Sequence, residues 1–198
     1  HITRAQVTPT RPKALHSQDF HELFWVQNGH IRHHLPDGVA SLSEGALVFM
    51  RAGDAHALQG RGSDALVVSL TLHPSLIDAL GKRHAIIQGK FFWADTPQTL
   101  HLDTKALIHL NQATMRLENS PLDRFSVEAF LLPLFSELLT PDVPNDAPDW
   151  LLHAMTAANA PKVFREGAAG FVAQAGQSHA HVSRAMKRVT GISPSDFI

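Results

Sequence analysis

From Thr8 to about Leu72 the chain runs in short apolar stretches separated by turn residues, the pattern of an antiparallel sandwich or barrel. The stretches are Phe20 to Val26, Ile31 to Leu35, Ala46 to Met50 and Ala65 to Leu72. Between them lie Asn28-Gly29, Pro36-Asp37-Gly38, Ser43-Glu44-Gly45, Ala52-Gly53-Asp54 and Gly60-Arg61-Gly62. Asn-Gly favours the positive φ values of a two-residue hairpin, and Pro-Asp-Gly presets a turn. After His73-Pro74 the period lengthens. A short helix is predicted over Pro74 to Leu80, closed by Gly81, and a longer one over Thr104 to Glu118, where Leu107, Leu110, Thr114 and Leu117 share a face. A second long helix, Arg124 to Leu139, shows Phe125, Ala129, Phe130, Leu134 and Leu138 nearly all round and should be largely buried, with Pro133 as a kink point. Thr140 to Asp149 has three prolines and three aspartates in ten residues and reads as a linker. Helices over Trp150 to Ala158, Gly167 to Ala175 and Ser178 to Thr190 follow.

The fold class is therefore α+β: an all-β front part, helices, then an all-α end. Residues 1–100 form the front, 101–140 a helical region that either caps the sheets or makes a dimer seam, 141–149 the linker, and 150–198 the terminal helical unit. With 198 residues, 44% of them apolar and 18% charged, the chain can bury a core, and wholesale disorder is excluded. It has no cysteine, so any metal must be held by His, carboxylate or amide oxygen. Absence of an apolar leader at the first residues, and of any run near the roughly 18 apolar residues of a membrane helix, reads as a soluble, cytoplasmic chain with no membrane partner. The formal net charge of −1 hides a polarity. Residues 1–160 carry 12 Lys plus Arg against 16 Asp plus Glu, and residues 161–198 carry 5 against 2, giving −4 and +3.

Seven of the 14 histidines fall in the first 56 residues. His16, Gln18 and Glu22, followed by six residues and Gly29, are spaced so that several polar groups share a strand face. Gly45, Arg51, Gly53 and His56 make a second segment. The pair resembles the two motifs of the cupin superfamily, with Gln18 where a second histidine is expected, Arg51 in place of a proline and Gly60 in place of an asparagine. The resemblance implies a small β-barrel with His16, Gln18, Glu22 and His56 facing a divalent transition metal such as zinc, nickel or iron. Around that site Phe24, Trp25, Arg32, His34 and Arg51 are the candidates for orienting a small polar ligand.

Near the other end, Gly170 to Ala175, Gly176, and the stretch from Ser178 read as helix, turn, helix. Gly176 suits a left-handed turn and Ser178 a cap. Val182, Ala185, Met186 and Val189 make the buried stripe, which leaves Ser178, His179, His181, Ser183, Arg184, Lys187 and Arg188 to meet DNA: the early side chains base edges, the later cations phosphates. Val182-Ser183-Arg184, Met186-Lys187-Arg188 and Gly191-Ile192-Ser193-Pro194-Ser195-Asp196-Phe197 are similar to the signature of AraC-type transcription regulators. Val172 stands where alanine is common and Met186 where phenylalanine is usual. Many members of that family place a cupin barrel and helices ahead of the reader, so the resemblance spans nearly the whole chain; the entry around His16 looks most like regulators of chitobiose and other oligosaccharide operons. It implies a DNA-binding regulator, acting as a homodimer and responding to a small effector such as an oligosaccharide, and not an enzyme. The family's reader has two helix-turn-helix units and only the first is matched, so either a truncated reader or an unusual one-reader version, with weak or undetectable sequence-specific binding as a monomer, is expected. The rival reading is a metal-dependent cupin oxygenase or isomerase using His16, Glu22 and His56.

Overall fold

The computed structural model describes residues 1–62, 65–140 and 147–198, which form two compact units, 1–135 and 136–198. Most of the expected linker, 141–146, lies outside the described residues. No helix among the described residues is long and apolar enough to cross a membrane.

The first unit is built on two antiparallel sheets. One has five strands in the order β1 (Ile2–Gln6), β7 (Leu66–Leu72), β2 (His21–Asn28), β5 (Ala46–Met50) and β8 (Gln98–His101). The other has β4 (Gly38–Ser43), β3 (His30–Leu35) and β6 (Ala57–Gly60). Side chains alternate across a strand, and on β2 both sets are buried. Phe24 and Val26 join Ile31, Leu42, Val48 and Met50 in one cluster fed by both sheets. Trp25 points the other way and donates from Nε1 to Asn111 Oδ1 at 3.0 Å, on helix α2 (Thr104–Glu118). Phe49 on β5 likewise meets the rings of Phe91, Phe92 and Phe135. A sheet covered on both faces gives continuous apolar runs in its central strands, which is why these runs were readable. The edge strands β1 and β8 are short and polar, and no apolar run marks them.

Three expectations change. Asn28-Gly29 does not close a hairpin, since β2 and β3 lie in different sheets, although Gly29 does take φ 78°. The tight hairpin is at Pro36-Asp37, where Leu35 pairs with Gly38 across β3 and β4. Gly81 does not end α1, which runs from Pro74 to Arg83. A Cβ at Gly81 would sit 2.2 Å from Trp93 Nε1, so this glycine lets the indole close on the helix. Thirdly, α3 (Arg124–Leu139) buries Phe130 and Leu134 as expected, but Phe125 is 80% exposed. Helix α2, capped by Asp103, buries Leu107, Leu110, Thr114 and Leu117.

The second unit packs α4 (Asp149–Ala157), α5 (Pro161–Ala175), α6 (His179–Thr190) and α7 (Pro194–Phe197). Its core joins Leu151, Ala154, Phe171, Ala175, Val182, Met186 and Val189. Gly167, at φ 59° and ψ −143°, breaks α5, so the helix expected from Gly167 is its second half, with a first half over 161–166 carrying no earlier signal.

Gly81→Ala separates two opposing effects. Alanine gains about 1 kcal/mol of helix propensity, while forcing the Trp93 ring to shift costs about 1–3 kcal/mol. Net destabilisation is expected in urea unfolding, and a stabilised variant would contradict the close packing.

Candidate functional site

The even-numbered face of β2 carries Glu22 and Phe24 into the space between the sheets. Gln18 Nε2 donates to Glu22 Oε2 at 3.1 Å, and Ser69 Oγ of β7 donates to Glu22 Oε1. His56, 2% exposed, places Nε2 at 3.3 Å from Glu22 Oε2 and 3.4 Å from Gln18 Nε2. His33 on β3, 1% exposed, sets Nε2 at 3.1 Å from His56 Nδ1. The edge of the Phe24 ring system bounds both imidazoles, with centroids 5.2 Å from His33 and 5.9 Å from His56. His16 pairs its backbone with His56 through two hydrogen bonds of 2.9 Å, and its exposed ring lies 4.8 Å from the His56 ring. Of the four expected metal-facing residues, Gln18, Glu22 and His56 meet through polar atoms, and the His16 ring lies beside that of His56. Among the described residues, however, no three His, Asp or Glu side chains gather as a metal group would require. Gln18 stands where a further imidazole is needed, and its amide donates where a ligand must accept. The donor set as placed does not fit a transition metal.

The ligand candidates scatter. Phe24 faces the cluster, whereas Trp25 is on the opposite face of the sheet. Arg32 is exposed, and His34 holds Gln59 Oε1 at 3.0 Å. Both leave the inward position on β3 to His33, which sequence reasoning passed over. The alternation Ile31, His33, Leu35 was the available signal, and it depends on a register that one residue inverts. Arg51 is fully occupied: Nε and Nη2 bridge Asp54 at 2.8 and 2.9 Å, and Nη1 donates to the Ala94 and Asp95 carbonyls at 3.0 and 2.8 Å. It clamps a turn, and hydrogen bonding from its guanidinium holds the Asp54 carboxyl below the usual range. Ser69 is the other cluster member not foreseen.

Electrostatics follow from burial. Burial alone pushes Glu22 upward, but hydrogen bonds from His56, Ser69 and Gln18 more than reverse it, so the carboxylate stays ionised. Burial, and then the neighbouring His56, lower His33 from 6.5 to about 4. It is neutral near neutrality.

The reader candidates lie on one element. Gly176 takes φ 61° at the end of α5, and the Ser178 side chain accepts the His181 amide at 3.3 Å to start α6. Val182, Ala185, Met186 and Val189 are buried, while His179, His181, Arg184, Lys187 and Arg188 are exposed and Ser183 is half-buried. Trp150 of α4 lies 5.3 Å from the His181 ring. Cations in the last turn also suit the helix dipole.

These features define a chain of two units, a helix-flanked pair of sheets with a buried polar cluster and a small helical bundle with a cationic outer helix. Its fold is similar to apo ToxT K231A from Vibrio cholerae, with a TM-score of 0.52 and 10% identity over 99% of this chain and 95% of that one. It is similar also to unsaturated fatty acid-bound wild-type ToxT, at 0.50 and 11% over 100% and 94%. Bacillus subtilis oxalate decarboxylase matches 37% of this chain with a TM-score of 0.33, too little to support an argument. No protein-family model and no curated protein matches the sequence.

Folding lowers the proton affinity of His33. Between pH 6.5 and about 4 the unfolded chain takes up a proton at this site and the folded one does not. Stability therefore rises with pH across that window, by up to about 3 kcal/mol. His33→Gln should flatten the slope in chemical denaturation at stepped pH, and an unchanged slope would assign it elsewhere.

Proposed function

We propose that the protein is a ligand-responsive, DNA-binding transcription regulator of the AraC type. The observation that carries this reading is α6: a serine-capped helix after a left-handed glycine turn, with an apolar stripe buried and His179, His181, Arg184, Lys187 and Arg188 facing out. Such a helix can enter a major groove with its N-terminal side chains on base edges and its later cations on phosphates. The signature read in the sequence over 182–197 lies on α6, the turn after it and α7.

The effector belongs to the first unit. Its interior is apolar around Phe24, Val26, Ile31, Val48 and Met50, with one polar end formed by Gln18, Glu22, His33 and His56. That asymmetry suits a small amphiphilic ligand better than an oligosaccharide, whose hydroxyls need partners along their whole length. A structure of the neighbour ToxT contains an unsaturated fatty acid.

Homodimerisation is the third part of the reading. Helix α2 leaves Ile108 50% and Met115 58% exposed on one side, two turns apart. In an antiparallel pair of α2 helices centred between Asn111 and Gln112, Ile108 of one copy faces Met115 of the other. Lys105 then faces Glu118.

In mobility-shift titrations against DNA upstream of neighbouring genes, the chain should give a weak, salt-sensitive shift. Lys187→Ala and Arg188→Ala should each weaken binding to all sequences and reduce the salt slope by about 1, whereas Arg184→Ala should cost about 1–3 kcal/mol and relax preference at one base position. No shift at low salt would sink the reading.

Ile108→Glu combined with Met115→Glu should turn a dimer into a monomer in sedimentation velocity while the circular dichroism spectrum is unchanged. A wild-type monomer at high concentration would remove dimerisation from the proposal.

A further inference from the structure

The expected metal and the observed hydrogen bonds make opposite demands on His56. A metal shared by Glu22 and His56 would take the lone pair of His56 Nε2 and leave its proton on Nδ1, facing His33. Instead His56 Nε2 lies 3.3 Å from Glu22 Oε2, an oxygen that also receives the Gln18 amide at 3.1 Å. An ionised carboxylate only accepts, so the favourable partner at that distance is an N–H and not a second lone pair. His56 Nδ1 is then an acceptor, and His33 Nε2 donates to it at 3.1 Å. In this arrangement Gln18 Nε2, 3.4 Å from His56 Nε2, directs its proton to Glu22 and not to the imidazole. Turning the Gln18 amide over would set its carbonyl oxygen 3.1 Å from Glu22 Oε2, two lone-pair oxygens facing each other with no proton between them. One atom is left over: His33 Nδ1 is buried and has no hydrogen-bond partner among the described residues.

We infer that a proton-wired chain, His33 to His56 to Glu22, with Gln18 and Ser69 as further donors to the carboxylate, occupies the position where the resembled barrels hold a metal, and that the cluster binds no divalent transition metal. The metal expected from His16, Gln18, Glu22 and His56 is thereby replaced by two shared protons that tie β2 to the β6 entry and to β3. This inference is independent of whether α6 reads DNA.

The test uses the full chain, stripped with chelator, incubated with zinc, nickel or iron(II), desalted and analysed for metal, together with long-range proton–nitrogen NMR of the histidine rings with and without zinc. Metal should stay near or below roughly one ion per ten chains, and any residue bound by surface histidines should persist in His56→Ala. Both His56 and His33 should carry their protons on Nε2, unchanged by zinc. Gln18→His, which supplies the missing imidazole, should bind zinc about tenfold or more tightly than the wild type. One zinc per chain that disappears in His56→Ala overturns the inference, as does a wild-type His56 protonated on Nδ1. The NMR readout needs no variant, so a His56→Ala chain that fails to fold still leaves the inference open to refutation.

Discussion

Phe24 and Trp25 are neighbours in sequence and lie on opposite faces of the same sheet, and neither is exposed to water. That double burial of β2 organises the first unit. The inner face needs a second sheet to cover it, which β4, β3 and β6 provide, and the outer face needs helices, which bring Asn111 and Phe135 against the sheet. Each fully buried aromatic contributes roughly 1.5–3 kcal/mol from transfer alone. Few other arrangements keep both covered, so the helices of the first unit are as much part of the sheet's stability as its own ladder.

A consequence is the position of Glu22. It precedes Phe24 by two residues and so shares the inner face, where water is scarce. A carboxylate there is expensive unless donors converge on it. Three elements supply them: Gln18 from the segment before β2, Ser69 from β7 and His56 from the entry to β6. The polar cluster is therefore a requirement of burying that acid, and its histidines are ordered by it.

This also explains what could be read from residues alone. The central strands and helices α2, α3 and α6 were legible because burial imposes a period on them; α2 and α6 showed every buried position. The motif spacing pointed to Gln18, Glu22 and His56, whose side chains lie within hydrogen-bond reach of one another, with the His16 ring beside that of His56. What was not legible was register and tautomer. Choosing Arg32 and His34 over His33 is a one-residue inversion on β3, and Arg51 looked like a ligand-binding cation because nothing local reveals that it spans to the carbonyls of Ala94 and Asp95. Gly81 looked like a stop because its reason, the Trp93 ring, is twelve residues further along the chain. Edge strands such as β1 and β8 escaped because half of each is solvated and carries no apolar signature.

The charge polarity gains a physical meaning once its cations are located. The near-neutral total would suppress attraction to a polyanion if the charges were mixed. They are not: Arg184, Lys187 and Arg188 project from one helix whose opposite side is apolar and buried. Within a Debye length of about 8 Å at physiological salt, a phosphate near that face responds chiefly to these three cations, offset in part by Asp196 near Lys187. Local sign, not net charge, decides which surface attracts a polyanion. On the proposed DNA-binding reading the same reasoning limits specificity, because cations late on α6 would attract any duplex equally, and discrimination would fall to the few side chains near its start, His179, His181 and Ser183, together with Arg184.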